Sequence, residues 1–302
     1  MDQMDRINRG AFYLGCAVWA YKGWVGDFYP TGTTSSKFLA CYSQQLSTVE
    51  CNSTFYTVPK PETLRRWREQ VPPEFRFCPK FPRDLTHQGL LVPQVAAAQK
   101  FIEQMQELGD NLGCLFIQLP PQYDRTHIED LQKFLAILSP SATSQNAKVS
   151  LALEVRHPSW FQPVTTEKLN QVLAENHLSR VILDSRPIYA PPRTPGLECR
   201  KPNLPVQFAT TADHVLVRYI SHPDPHRNQP YLQEWVEYIS RWLTEGKTIY
   251  FAVHCPQEEY SPQNALALRQ LLEKAGIAML PDRSTPKDSQ PLIANSQQLE
   301  LF

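Results

Sequence analysis

Apolar positions along this chain gather in short runs with few polar interruptions, and between the runs they recur at helical spacing. Eight runs stand out: YLGCAVW, LSTVECN, FRFCPKF, CLFIQLP, VSLALEV, RVILD, HVLVRYI and TIYFAVH. Between most of them lie amphipathic stretches, such as Leu64, Trp67 and Val71 after Pro61, Leu131, Phe134, Leu135 and Leu138, or Trp235, Ile239 and Trp242. Nearly continuous apolar strands alternating with such helices imply a parallel sheet covered by helices. Eight units predict an α/β fold of the (β/α)8 TIM type, a single domain over residues 11–280, rather than an open doubly wound sheet. No G-x-G-x-x-G turn is present, and only 11 glycines occur in all. The pattern breaks after Asp184, where SRPIYAPPRTPGLECRKPNLPVQFATTAD offers prolines in place of a helix. This segment is expected to form an ordered but irregular arm over one barrel face. Residues 1–10 and 281–302 are expected to be a flexible N-terminus and a flexible tail.

Composition narrows the class. At 302 residues, 42% apolar and 20% charged, the chain can bury a large core. Formal net charge is zero, so no global field draws it to nucleic acid or anionic membrane, and any such contact must be local. The opening MDQMDRINRG lacks an apolar leader core, and nowhere do eighteen apolar residues run together, which argues against secretion and membrane spanning. Seven cysteines without a C-x-x-C pair read as reduced thiols of a cytoplasmic protein.

On a TIM-type barrel the chemistry sits at the carboxyl ends of the strands, so polar residues that terminate apolar runs are the candidates. Glu50 and Asn52 end the second run, Lys80 the third, Gln118 the fourth, Glu154 and Arg156 the fifth, Asp184 the sixth, Arg218 the seventh and His254 the eighth, with His87 and His157 nearby. Lys80, Arg156 and Arg218 can clamp a phosphate or carboxylate while Glu50, Glu154 or Asp184 acts as general base. The competing account is a self-neutralising network of buried charges. Apolar replacements often stabilise a fold as well as buried ion pairs do, so concentrating six charges at one end favours a ligand. A divalent metal held by Glu50, Glu154, Asp184 and His254 is a weaker alternative, because three cations compete for the same carboxylates. Trp19, Tyr21 and Tyr56 follow the first two strands and either stack on a base or sugar or close a loop over the core. The arm adds a local basic excess through Arg186, Arg193, Arg200 and Lys201.

The stretches WAYKGWVGDFYP, TVECNSTFYTVPKPETLRRW, FRFCPKFPRDLTH, FIQLPPQY, LEVRHPSWF, a strand ending in Asp184, Arg218 and SPQNALALRQLL occur in this order over roughly residues 12 to 275. Together they resemble the YecE-like domain-of-unknown-function family, number seventy-two in that series. The resemblance implies a TIM-type barrel and brings no established activity. Its motif positions fall on Trp19, Tyr21, Glu50, Asn52, Ser53, Thr54, Phe55, Tyr56, Lys80, Thr86, His87, Gln118, Glu154, Arg156, Trp160, Asp184, Arg218 and Asn264. Val18 replaces a glycine before the tryptophan, Ile220 and Ser221 a His-Gly, and His254 with Cys255 an Asn-Asn pair.

The terminal QLELF resembles the short peptide by which bacterial DNA-metabolism proteins dock into the sliding clamp, carried here by Gln298, Leu299, Leu301 and Phe302. The polar, proline-interrupted RSTPKDSQPLIANSQ before it reads as a tether. These features suggest a hydrolase-type barrel enzyme acting on a phosphate-bearing or nucleic-acid-derived substrate, with phosphoester hydrolysis first. A carboxylate-dependent isomerase or hydrolase of a sugar or small metabolite, or a non-catalytic clamp-associated module, are the alternatives.

Overall fold

The computed structural model describes residues 10–142, 149–197 and 201–279. The tail residues Gln298, Leu299, Leu301 and Phe302 lie outside the described residues, as do Cys199, Arg200 and nearly all of the expected N-terminal segment. The strands are β1 (Phe12–Cys16), β2 (Thr48–Cys51), β3 (Arg76–Pro79), β4 (Cys114–Gln118), β5 (Ser150–Glu154), β6 (Ser179–Arg180), β7 (Ile182–Asp184), β8 (His214–Ile220) and β9 (Thr248–His254). The helices are α1 (Phe38–Ser43), α2 (Pro61–Glu69), α3 (Arg83–Thr86), α4 (Val95–Met105), α5 (Ile128–Ala142), α6 (Pro163–Glu175), α7 (Arg186–Tyr189), α8 (Gln229–Thr244) and α9 (Ser261–Lys274). Prolines sit in the first turn of α2, α6, α8 and α9, where the missing N–H costs no hydrogen bond.

All strand pairings are parallel, in the orders β3-β2-β1-β9-β8-β7 and β4-β5-β6. The two ladders are not continuous with each other. Between β3 and β4 they are joined by the bridges Phe77 to Leu112 and Lys80 to Phe116, and β6 and β7 are parted only by Val181. The strand order is that of a TIM-type barrel, with the expected sixth run split in two at its middle. Among the described residues no helix is long and apolar enough to cross a membrane.

Side-chain alternation divides the core. The large cluster lies between strands and helices and includes Val49, Phe77, Ile117, Leu153, Val217 and Phe251. The alternate positions, Tyr13, Cys78, Cys114, Phe116, Ala152, Val181, Leu216 and Tyr250, form a separate apolar plug inside the ring of strands. The packing there is close: a Cβ on Gly113 would meet Tyr250 Cε1 at 3.0 Å and Cys78 Sγ at 3.1 Å. Further along the same inward rows come Glu50, Lys80, Gln118, Glu154, Arg218 and His254. Apolar floor and polar mouth are therefore consecutive layers of one alternation.

After β7 the chain makes the single turn α7 and then runs irregularly to β8 through the described residues 190–197 and 201–213, as the proline pattern predicts. Ile188 packs on Leu183 and Ile220, sealing the β7–β8 side of the mouth with apolar surface. Ser185 donates to Pro202 O at 2.8 Å, Tyr189 donates to Lys201 O, and Arg227 donates to the carbonyls of Ala190 and Pro192. These bonds hold the arm beside the remaining opening.

Candidate functional site

Arg218 is the hub. It enters from β8, is 1% exposed, and spends its planar fork on two carboxylates. Nε and Nη2 donate to Glu50 Oε2 and Oε1, each at 2.7 Å, and Nη1 donates to Glu154 Oε2. The fork matches a carboxylate in two parallel bonds, which an ammonium could not do. Every carboxylate oxygen has a donor. Asn52 Nδ2 donates to Glu50 Oε1 at 2.7 Å and Arg156 Nε to Glu154 Oε1 at 2.6 Å. His254 Nε2 lies 3.0 Å from Glu50 Oε2.

The electrostatics follow from this pairing. Burial alone would raise both carboxyls, but Arg218 with His254 holds Glu50 well below the usual range, and Arg218 with Arg156 holds Glu154 at about 2. Burial pushes His254 down to about 4, so near neutrality its ring is uncharged and its Nε2–H donates to Glu50. Burial and then Arg218 bring Lys80 down to about 7. Burial and then Lys80 and Arg83 bring His87 down to about 4.

Above the hub opens a cleft of about 470 Å³. Its walls carry five basic side chains, Lys80, Arg83, Arg156, Lys201 and Arg218, together with Asn52, Gln118, His87, Phe55 and Tyr56. Glu50 and Glu154 lie beneath and are already bound to arginine. Five basic side chains over two arginine-bound carboxylates leave the cleft wall with an excess of basic groups. Lys80 Nζ donates to Gln118 Oε1 at 3.0 Å and sits 3.7 Å from the centre of the Phe55 ring. The His87 ring meets Phe55 edge-on at 5.2 Å, and Tyr56, 79% exposed, stands at the lip.

Of the residues expected at the rim, Glu50, Asn52, Lys80, His87, Gln118, Glu154, Arg156, Arg218 and Tyr56 are brought together. Asp184 is not. Its register partner is Tyr219, whereas Leu183 pairs with Arg218, so Asp184 points to the opposite side of the sheet. There it accepts from Arg186 Nε and Nη2, each at 2.9 Å, and from Trp235 Nε1 at 2.9 Å, fully buried under α8. Trp19 and Tyr21 also stay out of the cleft, because β1 ends at Cys16 and they belong to the turn beyond it. Trp19 packs edge-on against Trp67 at 4.9 Å and Tyr21 donates to Glu259 at 3.2 Å. The weaker metal set of Glu50, Glu154, Asp184 and His254 does not assemble, and among the described residues no group of three or more His, Cys, Asp or Glu is placed to hold a metal ion.

Two cations in the cleft were not singled out by the strand-end rule. Arg83 opens α3 after the third strand. Lys201 comes from the arm, and its signal was the arm's basic excess; burial and then Arg218 bring it down to about 8. Arg186 and Arg193, which carried the same signal, are engaged elsewhere, Arg186 with Asp184 and Glu234 and Arg193 over the Tyr189 ring.

The family described as "Protein of unknown function DUF72" matches residues 13–290. The chain belongs to the DUF72 family. Among curated relatives, the UPF0759 protein YecE of Escherichia coli K12 is 33% identical over 267 residues, 87% of this chain and 93% of its own. The DUF72 fold is likewise seen in a crystal structure from Thermotoga maritima MSB8, with a TM-score of 0.63 at 21% identity, covering 87% of this chain and 99% of that one. One from Enterococcus faecalis V583 has a TM-score of 0.64 at 19% identity, covering 87% and 95%. At these identities the two crystal structures speak to the DUF72 fold alone.

Proposed function

We propose that the cleft binds a phosphate-bearing ligand and acts on it by proton transfer. One observation carries the reading: five basic side chains line a cleft, and the two carboxylates directly beneath it, Glu50 and Glu154, are both held by Arg218. An incoming phosphate meets donors rather than competing acceptors. In this reading Glu50 and Glu154 orient Arg218 and Arg156, Lys80 exchanges its proton near neutral pH, and His87, uncharged there, is a proton acceptor. Phosphoester hydrolysis, the reaction class raised first by the sequence, would use His87 as acceptor for the attacking water. A carboxylate-dependent isomerase is less well supported, because neither glutamate offers a free oxygen. Calorimetric titration tests the reading: glycerol phosphate should bind, inorganic phosphate should compete with it, and glycerol should not bind. Absence of binding by both phosphate compounds would overturn it.

The QLELF terminus supports a second proposal, that the protein is recruited to DNA by docking Leu301 and Phe302 into the sliding clamp. Replacing both with Ala should abolish binding to a bacterial clamp and leave Tm unchanged. Equal clamp affinity of the two proteins would end this proposal.

A further inference from the structure

We infer that Lys80 is a nucleophile which forms an imine with the carbonyl carbon of a phosphorylated sugar in its open-chain form. The inference rests on the phosphate-binding reading of the cleft and names the substrate class for it. Lys80 is only 6% exposed yet lines the cleft, so its ammonium faces a ligand rather than bulk water. Among the described residues it makes no ion pair. Its Nζ has an amide oxygen of Gln118 and the face of Phe55 as neighbours, neither of which holds a proton on it as a carboxylate would. The carboxylates that could have done so are drawn away by Arg218 and Arg156. Desolvation beside fixed cations is the condition under which a lysine amine is free to attack at neutral pH, and burial with Arg218 brings this one to about 7.

The step balances without any other reactant. The Nζ lone pair adds to the carbonyl carbon and the C=O electron pair moves to oxygen. Two protons leave Nζ for that oxygen, which departs as water, and a C=N bond remains. His87, neutral and packed on the same Phe55 ring, can relay the first proton. Arg83 and Arg156 line the same cleft and face the phosphate group. A carbonyl close to a phosphate occurs both in a free sugar phosphate and in the opened deoxyribose of DNA that has lost a base, and the shared chemistry is what the cleft recognises.

Borohydride trapping tests this. The full-length protein is incubated with dihydroxyacetone phosphate, or with a single-stranded oligonucleotide carrying one abasic site, then reduced and mapped by mass spectrometry. The expected result is a stable adduct on Lys80 in the wild-type protein that needs both probe and borohydride. Inorganic phosphate should suppress it, and unphosphorylated dihydroxyacetone should give at least about tenfold less, as loss of charge-assisted phosphate contacts implies. Lys80→Arg should abolish it while still binding phosphate, and peptide mapping of the wild type identifies the lysine even if that variant fails to fold. An adduct with the oligonucleotide alone places the sugar in DNA, and one with the small phosphate alone makes it a metabolite. No adduct on Lys80 from either probe, in protein that binds phosphate, overturns the inference and leaves the phosphate reading standing. Absence of phosphate binding defeats both.

Discussion

Two buried acid–base clusters end neighbouring strands of this barrel, one residue out of step. On β8, Arg218 points into the ring and binds Glu50 and Glu154; on β7, Asp184 points outward and binds Arg186 and Trp235. Both are desolvated, both have a donor on every carboxylate oxygen, and both look alike in sequence as a charge closing an apolar run. They differ in what lies beyond them. Asp184 is roofed by α8, so its pairing serves the packing of helix on strand. Among the described residues, Arg218 opens onto a cleft lined by further cations. Buried charge by itself marks neither a site nor a scaffold; the open side of the strand decides.

Removing the hubs should separate the two most strongly. Arg218→Met leaves two carboxylates buried without their cation and should cost about 3–5 kcal/mol in urea unfolding, with loss of phosphate binding. Asp184→Asn keeps an oxygen for Trp235 but discards the ionic pair with Arg186, and should cost about 1.5–3 kcal/mol while phosphate affinity stays at the wild-type value. Loss of phosphate affinity in Asp184→Asn without unfolding would erase the distinction.

Acid should dissect the inward cluster next. The folded-state pKa values of Glu50 and Glu154 lie below their unfolded values near 4.3. Their contribution is therefore fully present above about pH 4.5 and is lost as pH falls through the folded values, which for Glu154 is about 2. Tm should drop across that window, and part of the drop should disappear in Glu154→Gln. A Tm independent of pH between 4.5 and 2 would contradict the pairing.

A smaller effect concerns Lys80, and its sign is opposite for binding and for attack. As pH rises through about 7, Lys80 gives up its proton, so affinity for sulfate, whose charge is constant in this range, should fall several-fold, with Lys201 adding a further decline near 8. Imine trapping should rise over the same interval. Lys80→Arg should flatten the first step in sulfate affinity. A fall of the same size in that variant would assign the titration to another group.

Much of the fold was legible because buried parallel strands advertise themselves as unbroken apolar runs separated by helical periods. The mouth was legible for the same reason: Glu50, Lys80, Gln118, Glu154 and Arg218 each close a run. Asp184 shows the limit. A strand buried on both faces has no polar alternation, so sequence could not tell which side its last residue takes, and a single position of register decided it. Trp19 and Tyr21 take the loop-closing alternative because β1 stops at Cys16, three residues before Trp19, and the polypeptide turns away. Lys201 could be suspected only as one of four basic residues in the arm, since its place depends on how Ser185, Tyr189 and Arg227 pin an irregular segment.

The account stands or falls on the cleft as an anion receptor, and calorimetric titration of inorganic phosphate into three proteins tests it most directly. Arg156→Gln removes a cation from the cleft wall and leaves Glu154 its bond to Arg218; Arg186→Gln removes one from the outward cluster. The account predicts that phosphate binds the wild type, binds Arg156→Gln about tenfold more weakly as loss of a charge-assisted contact implies, and binds Arg186→Gln unchanged. Equal affinity in all three proteins, or an equal loss in both variants, would contradict it.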